Sequence, residues 1–235
     1  MKRTAFVIAL IFEALWVSAQ KAPGFTISHL TGDFYIYTTW QPIDGKPFPA
    51  NGMYVVTAQG IVIIDSPWDT AQAVPFLDSI ERRHHTRAIA AFATHFHSDR
   101  TGAYAIFQKR GIRTWSGCQT KTLCIERKEA VPQYCFTADT TFDFGDHMLQ
   151  TFYPGEGHTK DNIVIWFDKE KILYGGCLVK SAEATGIGNV ADANLNEWRN
   201  TISKLKKRFS SPTFIIPGHQ DYEFSSFGSY TPFDY

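Results

Sequence analysis

Four apolar, strand-forming runs in this chain each end in a metal-ligating residue type set in a Gly-rich or polar turn. "RAIAAFA" (87–93) runs into "THFHSDR", which carries His95, His97 and Asp99. "HMLQTFYP" (147–154) leads into "GEGHTKDN" and His158. "KILYGGC" (171–177) ends on Cys177, and "TFIIPGH" (213–219) ends on His219. Each has an ordinary reading by itself: a solvated polar loop, a hydrogen-bonded structural histidine, a small buried thiol. Four strands ending this way demand a fold that gathers strand ends at one edge, with six candidate ligands among them. In an extended segment, alternation by two puts His95, His97 and Asp99 on one side. Neutral imidazoles and a carboxylate are donors that a borderline metal such as zinc accepts.

The rest of the pattern supplies the layers. "FTISHL", "DFYIYTTW", "GMYVVTA" and "GIVIID" are β-branched and aromatic runs bounded by turn residues. Residues 41–52, "QPIDGKPFPANG", read as a long Pro/Gly loop between the second and third of these, a flap over a site or a hairpin tip. Residues 69–83 place Ala73, Phe76, Leu77 and Ile80 on one helical face. "TGAYAIFQKRG" (101–111) reads as one helix closed by Gly111, "IRTWS" as a strand, and 118–128 as helical. The second half repeats the theme with "TTFDFG", "HMLQTFYP", "NIVIWF" and "KILYGGC". A helix follows over 194–209, with Leu195, Trp198, Ile202 and Leu205 on its apolar face, and then "TFIIPGH". Strands followed by helices, twice over, predict an α/β (α+β) fold of two similar halves, packed sheet to sheet with helices outside.

The chain has 235 residues, 23 basic and 23 acidic, so its net charge is zero with His neutral. That balance suggests neither a nucleic-acid partner nor an anionic membrane surface. Hydrophobic residues at 44% are enough for a substantial core. At the N-terminus, Lys2 and Arg3 precede "AFVIALIFEALWV", apolar but for Glu13, and then "VSAQ". This reads as a secretory signal over residues 1–19, cut after Ala19, with a single domain over 20–235. The stretch is too short to anchor in a bilayer comfortably. Export to the periplasm places Cys118, Cys124, Cys135 and Cys177 in an oxidising compartment; which of them pair stays open.

"HFHSDR", "GEGHT", "GGCLVKS" and "PGH", in this order, resemble the metallo-β-lactamase superfamily, and the likeness runs from about Phe25 to His219. It implies a four-layer αββα sandwich with the metal site at the sheet edges. Many members continue the first motif as His-x-His-x-Asp-His and carry a bridging Asp. Here Arg100 stands in place of that His, and Cys177 in place of that Asp, as in the first subclass of class B β-lactamases. The resemblance then implies two zinc ions: His95, His97 and His158 on the first, and Asp99, Cys177 and His219 on the second. It implies hydrolysis of the β-lactam ring of penicillins, cephalosporins and carbapenems by a water activated on the metal, and so antibiotic resistance. Three imidazoles leave the first ion its full charge and an open position; thiolate and carboxylate partly neutralise the second.

Further residues match the family by position. Lys180 resembles the lysine that pairs with the substrate carboxylate. Asn189 resembles the asparagine credited with polarising the lactam carbonyl. Residues 41–50 resemble the flap, while Asp65 and Asp161 resemble groups that brace ligands or fix turns. The family's C-terminal helix has no counterpart in "QDYEFSSFGSYTPFDY". Ser98 lies between ligands with no separate base and is rejected as a nucleophile. The expected partner is a small β-lactam, with no nucleic acid, no membrane after cleavage, and a monomeric chain. The competing readings are a superfamily hydrolase of thioesters, lactones or phosphodiesters, and an exported zinc-binding or redox protein.

Overall fold

The computed structural model describes residues 24–137 and 139–222. The signal segment and most of the C-terminal tail discussed above lie outside these residues. Among the described residues no helix is long and apolar enough to cross a membrane.

The first half is a seven-stranded sheet: β1 (Thr26–Thr31), β2 (Phe34–Ile43), β3 (Lys46–Thr57), β4 (Gly60–Ile64), β5 (Ala88–Ala93), β6 (Arg113–Gly117) and β7 (Tyr134–Phe136), adjacent in chain order. The first four pair antiparallel; β4 through β7 run parallel. Parallel neighbours need crossovers. These are a 3₁₀ turn (Thr70–Gln72) with α1 (Ala73–His84), then α2 (Ser98–Thr101) with α3 (Tyr104–Lys109), then α4 (Cys118–Arg127). The second sheet holds β8 (Thr141–Asp143), β9 (Met148–Phe152), β10 (Val164–Phe167), β11 (Ile172–Gly176) and β12 (Phe214–Pro217), in the order β12-β11-β10-β9-β8. Its single parallel pair, β11 and β12, is bridged by α5 (Leu195–Arg208).

Three apolar layers separate these elements. Between the sheets lie Phe34, Met53, Val55 and Phe92 of the first against Leu149, Phe167, Tyr174 and Ile216 of the second. Ala73, Phe76, Leu77 and Ile80 seal α1 onto the outer face of the first sheet, as their spacing predicts. Trp198, Ile202 and Leu205 seal α5 onto the second. This is the αββα order.

Local expectations fail in four places. Residues 41–52 are not a loop: β2 and β3 stay paired to Ile43↔Lys46. The turn is Asp44-Gly45, both at positive φ (50° and 75°), the mirror-image turn that Asp-Gly favours in hairpins. Pro42, Pro47 and Pro49 are tolerated there because β1 pairs with β2 only as far as Thr38 and β4 with β3 only from Met53, so the arm is two-stranded and a missing N–H breaks no second ladder. The helix expected over 101–111 is broken at Gly102–Ala103, where Ala103 N donates to Ser66 Oγ. Leu195 is 55% exposed, because the buried stripe of α5 starts at Trp198, beyond the first turn. Strand β7, unpredicted, is tied to the start of α4 by a Cys118–Cys135 disulfide.

Candidate metal centre

All six predicted ligands meet at one edge of the sandwich. His95 and His97 leave the C-terminal end of β5, and Asp99 sits in the single turn of α2. His158 comes from the β9–β10 connection, Cys177 from the end of β11, and His219 from the end of β12. Parallel strands share a C-terminal edge, which is why ligands so distant in sequence converge. Glycine makes the last approach possible. A Cβ on Gly218 would lie 2.8 Å from Cys177 Sγ, and Gly176 turns the end of β11 at φ 54°.

The atoms form two groups. The rings of His95, His97 and His158 stand nearly perpendicular to one another, with centroids 4.7–5.2 Å apart. His95 Nε2 and His97 Nδ1 are 3.1 Å apart. In the second group Cys177 Sγ to His219 Nε2 is 3.2 Å, His219 Nε2 to Asp99 Oδ2 is 3.1 Å, and Cys177 Sγ to Asp99 Oδ2 is 3.5 Å. Two donors on a tetrahedral zinc, with bonds of 2.0–2.3 Å, lie about 3.3–3.6 Å apart. The second group therefore fits such an ion in donor type and spacing, while in the first the His95–His97 separation fits and His158 is grouped by its donor atom with His95 and Cys177 rather than with His97. His95 Nε2 lies 3.9 Å from Asp99 Oδ1, so the two groups adjoin.

Two of the imidazoles are held in the form that ligation requires. Burial, with His158 and His97 close by, holds His95 well below the usual imidazole value. Burial and then Lys180 push His158 down to about 2. Both imidazoles are thus neutral, with lone pairs free. Burial opposes charge on Asp99, but the Arg100 guanidinium and the His219 hydrogen bond hold its carboxyl well below the usual range. Burial likewise opposes charge on His219, yet Cys177 and Asp99 raise it to about 9. Those two acceptors thus favour a positive charge beside them.

Neighbouring groups fix the candidate ligands. Arg100, fully buried, donates to Asp99 Oδ2 from Nε and Nη2 (3.1 and 2.8 Å), to Asp65 Oδ2 (3.2 Å), to the Asn51 carbonyl (2.7 Å) and to the Gly218 carbonyl (2.9 Å). It locks the strand before His219 to the turn that carries Asp99. Asp65, at a positive φ of 61°, also accepts from Thr94 N, Thr94 Oγ1 and Tyr174 Oη. Burial pushes its carboxyl up to about 6, against the pull of Arg100. His219 Nδ1 donates to the Pro49 carbonyl at 2.7 Å, so the β2–β3 arm orients this imidazole. His97 Nε2 faces Asp192 Oδ2 at 3.1 Å, and Arg127 Nη2 holds the other oxygen at 2.9 Å. Asp161 is buried, and burial raises its carboxyl pKa against the pull of Thr120 and Thr159.

The sequence reading missed Arg100 as a strut, together with Asn51, Arg127, Tyr174 and Asp192. Apart from Arg100 with Asp99 and Asn51 with Thr38, their side-chain hydrogen-bond partners are 35–169 residues away, and no local pattern marks them. Only Arg100, a charge in the middle of a ligand motif that must be buried, carried a hint.

The centre floors a cleft of about 680 Å³. Ile43 and Phe48 of the β2–β3 arm, Trp68, Glu129, Lys180, Asn189 and Asp192 are among its walls. Lys180 lies over the Trp198 ring, and burial lowers its pKa. Asn189 Oδ1 accepts from Ala191 N at 3.0 Å, which leaves the side-chain NH₂ as a donor.

Residues 45–219 match the family described as "Metallo-beta-lactamase superfamily". The chain is 35% identical over 219 residues to "Metallo-beta-lactamase type 2" of Elizabethkingia meningoseptica, covering 93% of this chain and 88% of that one. It is 36% identical over 222 residues to "Metallo-beta-lactamase IND-1" of Chryseobacterium indologenes, covering 94% and 93%. The crystal structure of metallo-beta-lactamase IND-7 superposes with a TM-score of 0.83 at 37% identity, covering 86% of this chain and 93% of that one.

Proposed function

Because the chain belongs to the metallo-β-lactamase superfamily, we propose that it is an exported hydrolase of the β-lactam ring that works with two zinc ions and confers antibiotic resistance. The observation that carries this reading is six ligand-type side chains gathered at the floor of the cleft in overlapping three-donor sets, His95/His97/Asp99, His95/His158/Cys177 and Asp99/Cys177/His219, with Lys180 and Asn189 on its wall. His95, His97 and His158 hold one ion; Asp99, Cys177 and His219 hold the other. Bound there, zinc supplies a Lewis acid and a water acidic enough to attack at neutral pH.

The chain's own residues do the rest. Lys180 takes the substrate carboxylate, with its stem and charge held against Trp198. Asn189 offers an N–H to the lactam carbonyl where charge develops. Phe48 and Trp68 exclude water from the face of the bound ring. Arg100, Asp65 and Asp192 keep Asp99, His219 and His97 from swinging out of place. Attack by water needs no covalent bond to a side chain. All six ligands come from one chain, so the site is complete in a monomer. The leader over residues 1–19 delivers the chain to the periplasm, and a mature protein starting at Gln20 is expected on N-terminal sequencing.

The test is steady-state hydrolysis of a chromogenic cephalosporin. Turnover that a chelator abolishes and added zinc restores supports the reading. Thioester or lactone hydrolysis without β-lactam turnover overturns it.

A further inference from the structure

Two charges in the cleft are used neither by the metal centre nor by its struts. Asp192 lines the cleft, but His97 and Arg127 take its two oxygens. That leaves Lys180 and Glu129, and they come from opposite halves of the sandwich. Lys180 follows β11 and lies over Trp198 of α5, on the flank of the second sheet. Glu129 follows α4, on the flank of the first, and its backbone N–H donates to the Cys124 carbonyl at 2.8 Å, which anchors the residue. Its partly exposed side chain makes no hydrogen bond or ion pair among the described residues. A cleft with a free cation on one wall and a free anion on the other is complementary to a zwitterion.

We infer that Glu129 sets specificity for the charge of the substrate's acyl side chain, favouring β-lactams in which that side chain carries an ammonium group. This rests on the hydrolase reading above. A bicyclic β-lactam carries its carboxylate on the fused ring and its acylamino group on the far side of the lactam. With the carboxylate at Lys180, the acyl side chain extends toward the other half of the molecule, where Glu129 stands. An ammonium group there gains a partly solvated ion pair, which corresponds to about a two- to five-fold preference.

Ampicillin and penicillin G differ only in that ammonium group, so the ratio of their kcat/KM values isolates it. In zinc-loaded protein the ratio should fall about two- to five-fold in Glu129→Gln. In Glu129→Lys it should fall further, while the ratio of carbenicillin, whose side chain is a carboxylate, to penicillin G rises. Raising the salt concentration should narrow the wild-type ratio toward that of Glu129→Gln. Calorimetry with the hydrolysed products reads binding without turnover and should show the same ordering of Kd. Ratios and product affinities that both substitutions leave unchanged, with penicillin G still hydrolysed, overturn this inference alone. A wild-type protein that hydrolyses neither substrate overturns the hydrolase reading, and this one with it.

Discussion

At the scale of single residues, the second ligand group is the sharpest test. Cys177 lies within 3.5 Å of both Asp99 and His219. Cys177→Ser keeps the shape but removes the thiolate, and a hydroxyl does not ionise readily enough to replace it. Metal analysis after dialysis should fall from two zincs per chain toward one, and activity should recover in part with excess zinc. Two zincs retained would make Cys177 a core residue only. Lys180→Ala should raise KM for carboxylate substrates more than it lowers kcat, since the contact is made equally in ground and transition states. The pH dependence has a definite sign. Burial lowers the Lys180 pKa, so its ammonium is present below that value and is lost as pH rises through it, earlier than for a free lysine. KM should therefore climb on the alkaline side in the wild type and stay flat there in Lys180→Ala. Parallel profiles for the two proteins would remove Lys180 from the carboxylate site.

At the scale of elements, α4 couples the disulfide to the cleft. Its first residue is Cys118, bridged to β7; its last, Arg127, grips Asp192 beside His97. The bridge closes a loop of sequence separation 17, and constraining a loop of that size in the unfolded chain contributes about 3 kcal/mol. The double variant Cys118→Ser, Cys135→Ser should lose about that much stability in a denaturant titration. Cys124, buried on the same helix, has its thiol pushed up to about 12 by burial. It should resist alkylation in the native protein, and unfolding without reductant should expose two thiols, Cys124 and Cys177. Four thiols would show that the bridge does not form.

At the scale of the whole molecule, the six candidate ligands come from both halves. His95, His97 and Asp99 follow the first sheet; His158, Cys177 and His219 belong to the second. Metal that binds the folded chain alone stabilises it by mass action, about 2.7 kcal/mol per ion at a hundredfold its Kd. For a chain of this size that is a rise in Tm of about 5–10 °C per ion. Calorimetry with a chelator, then with one and two equivalents of zinc, should trace that rise in steps. A Tm indifferent to chelation would mean the six side chains hold no ion.

By itself the sequence determined the strand and helix periods, the faces of α1 and of most of α5, and the six ligand-type residues that the fold gathers at one edge. Each of these is a local signal: an alternation, a 3.6-residue stripe, a histidine or cysteine in a turn at a strand end. The tertiary structure alone decided that residues 41–52 are a paired arm, because an Asp-Gly turn and three prolines read as loop until a partner strand is in place. It alone put Leu195 in solvent, since a helical stripe does not show where the sheet beneath it ends. It chose Cys118 and Cys135 over Cys124, because pairing depends on which cysteines face each other across α4 and β7. It also placed Arg100 among Asp99, Asp65, Asn51 and Gly218. A buried guanidinium needs acceptors from every side, and only the folded chain brings together groups so far apart in sequence.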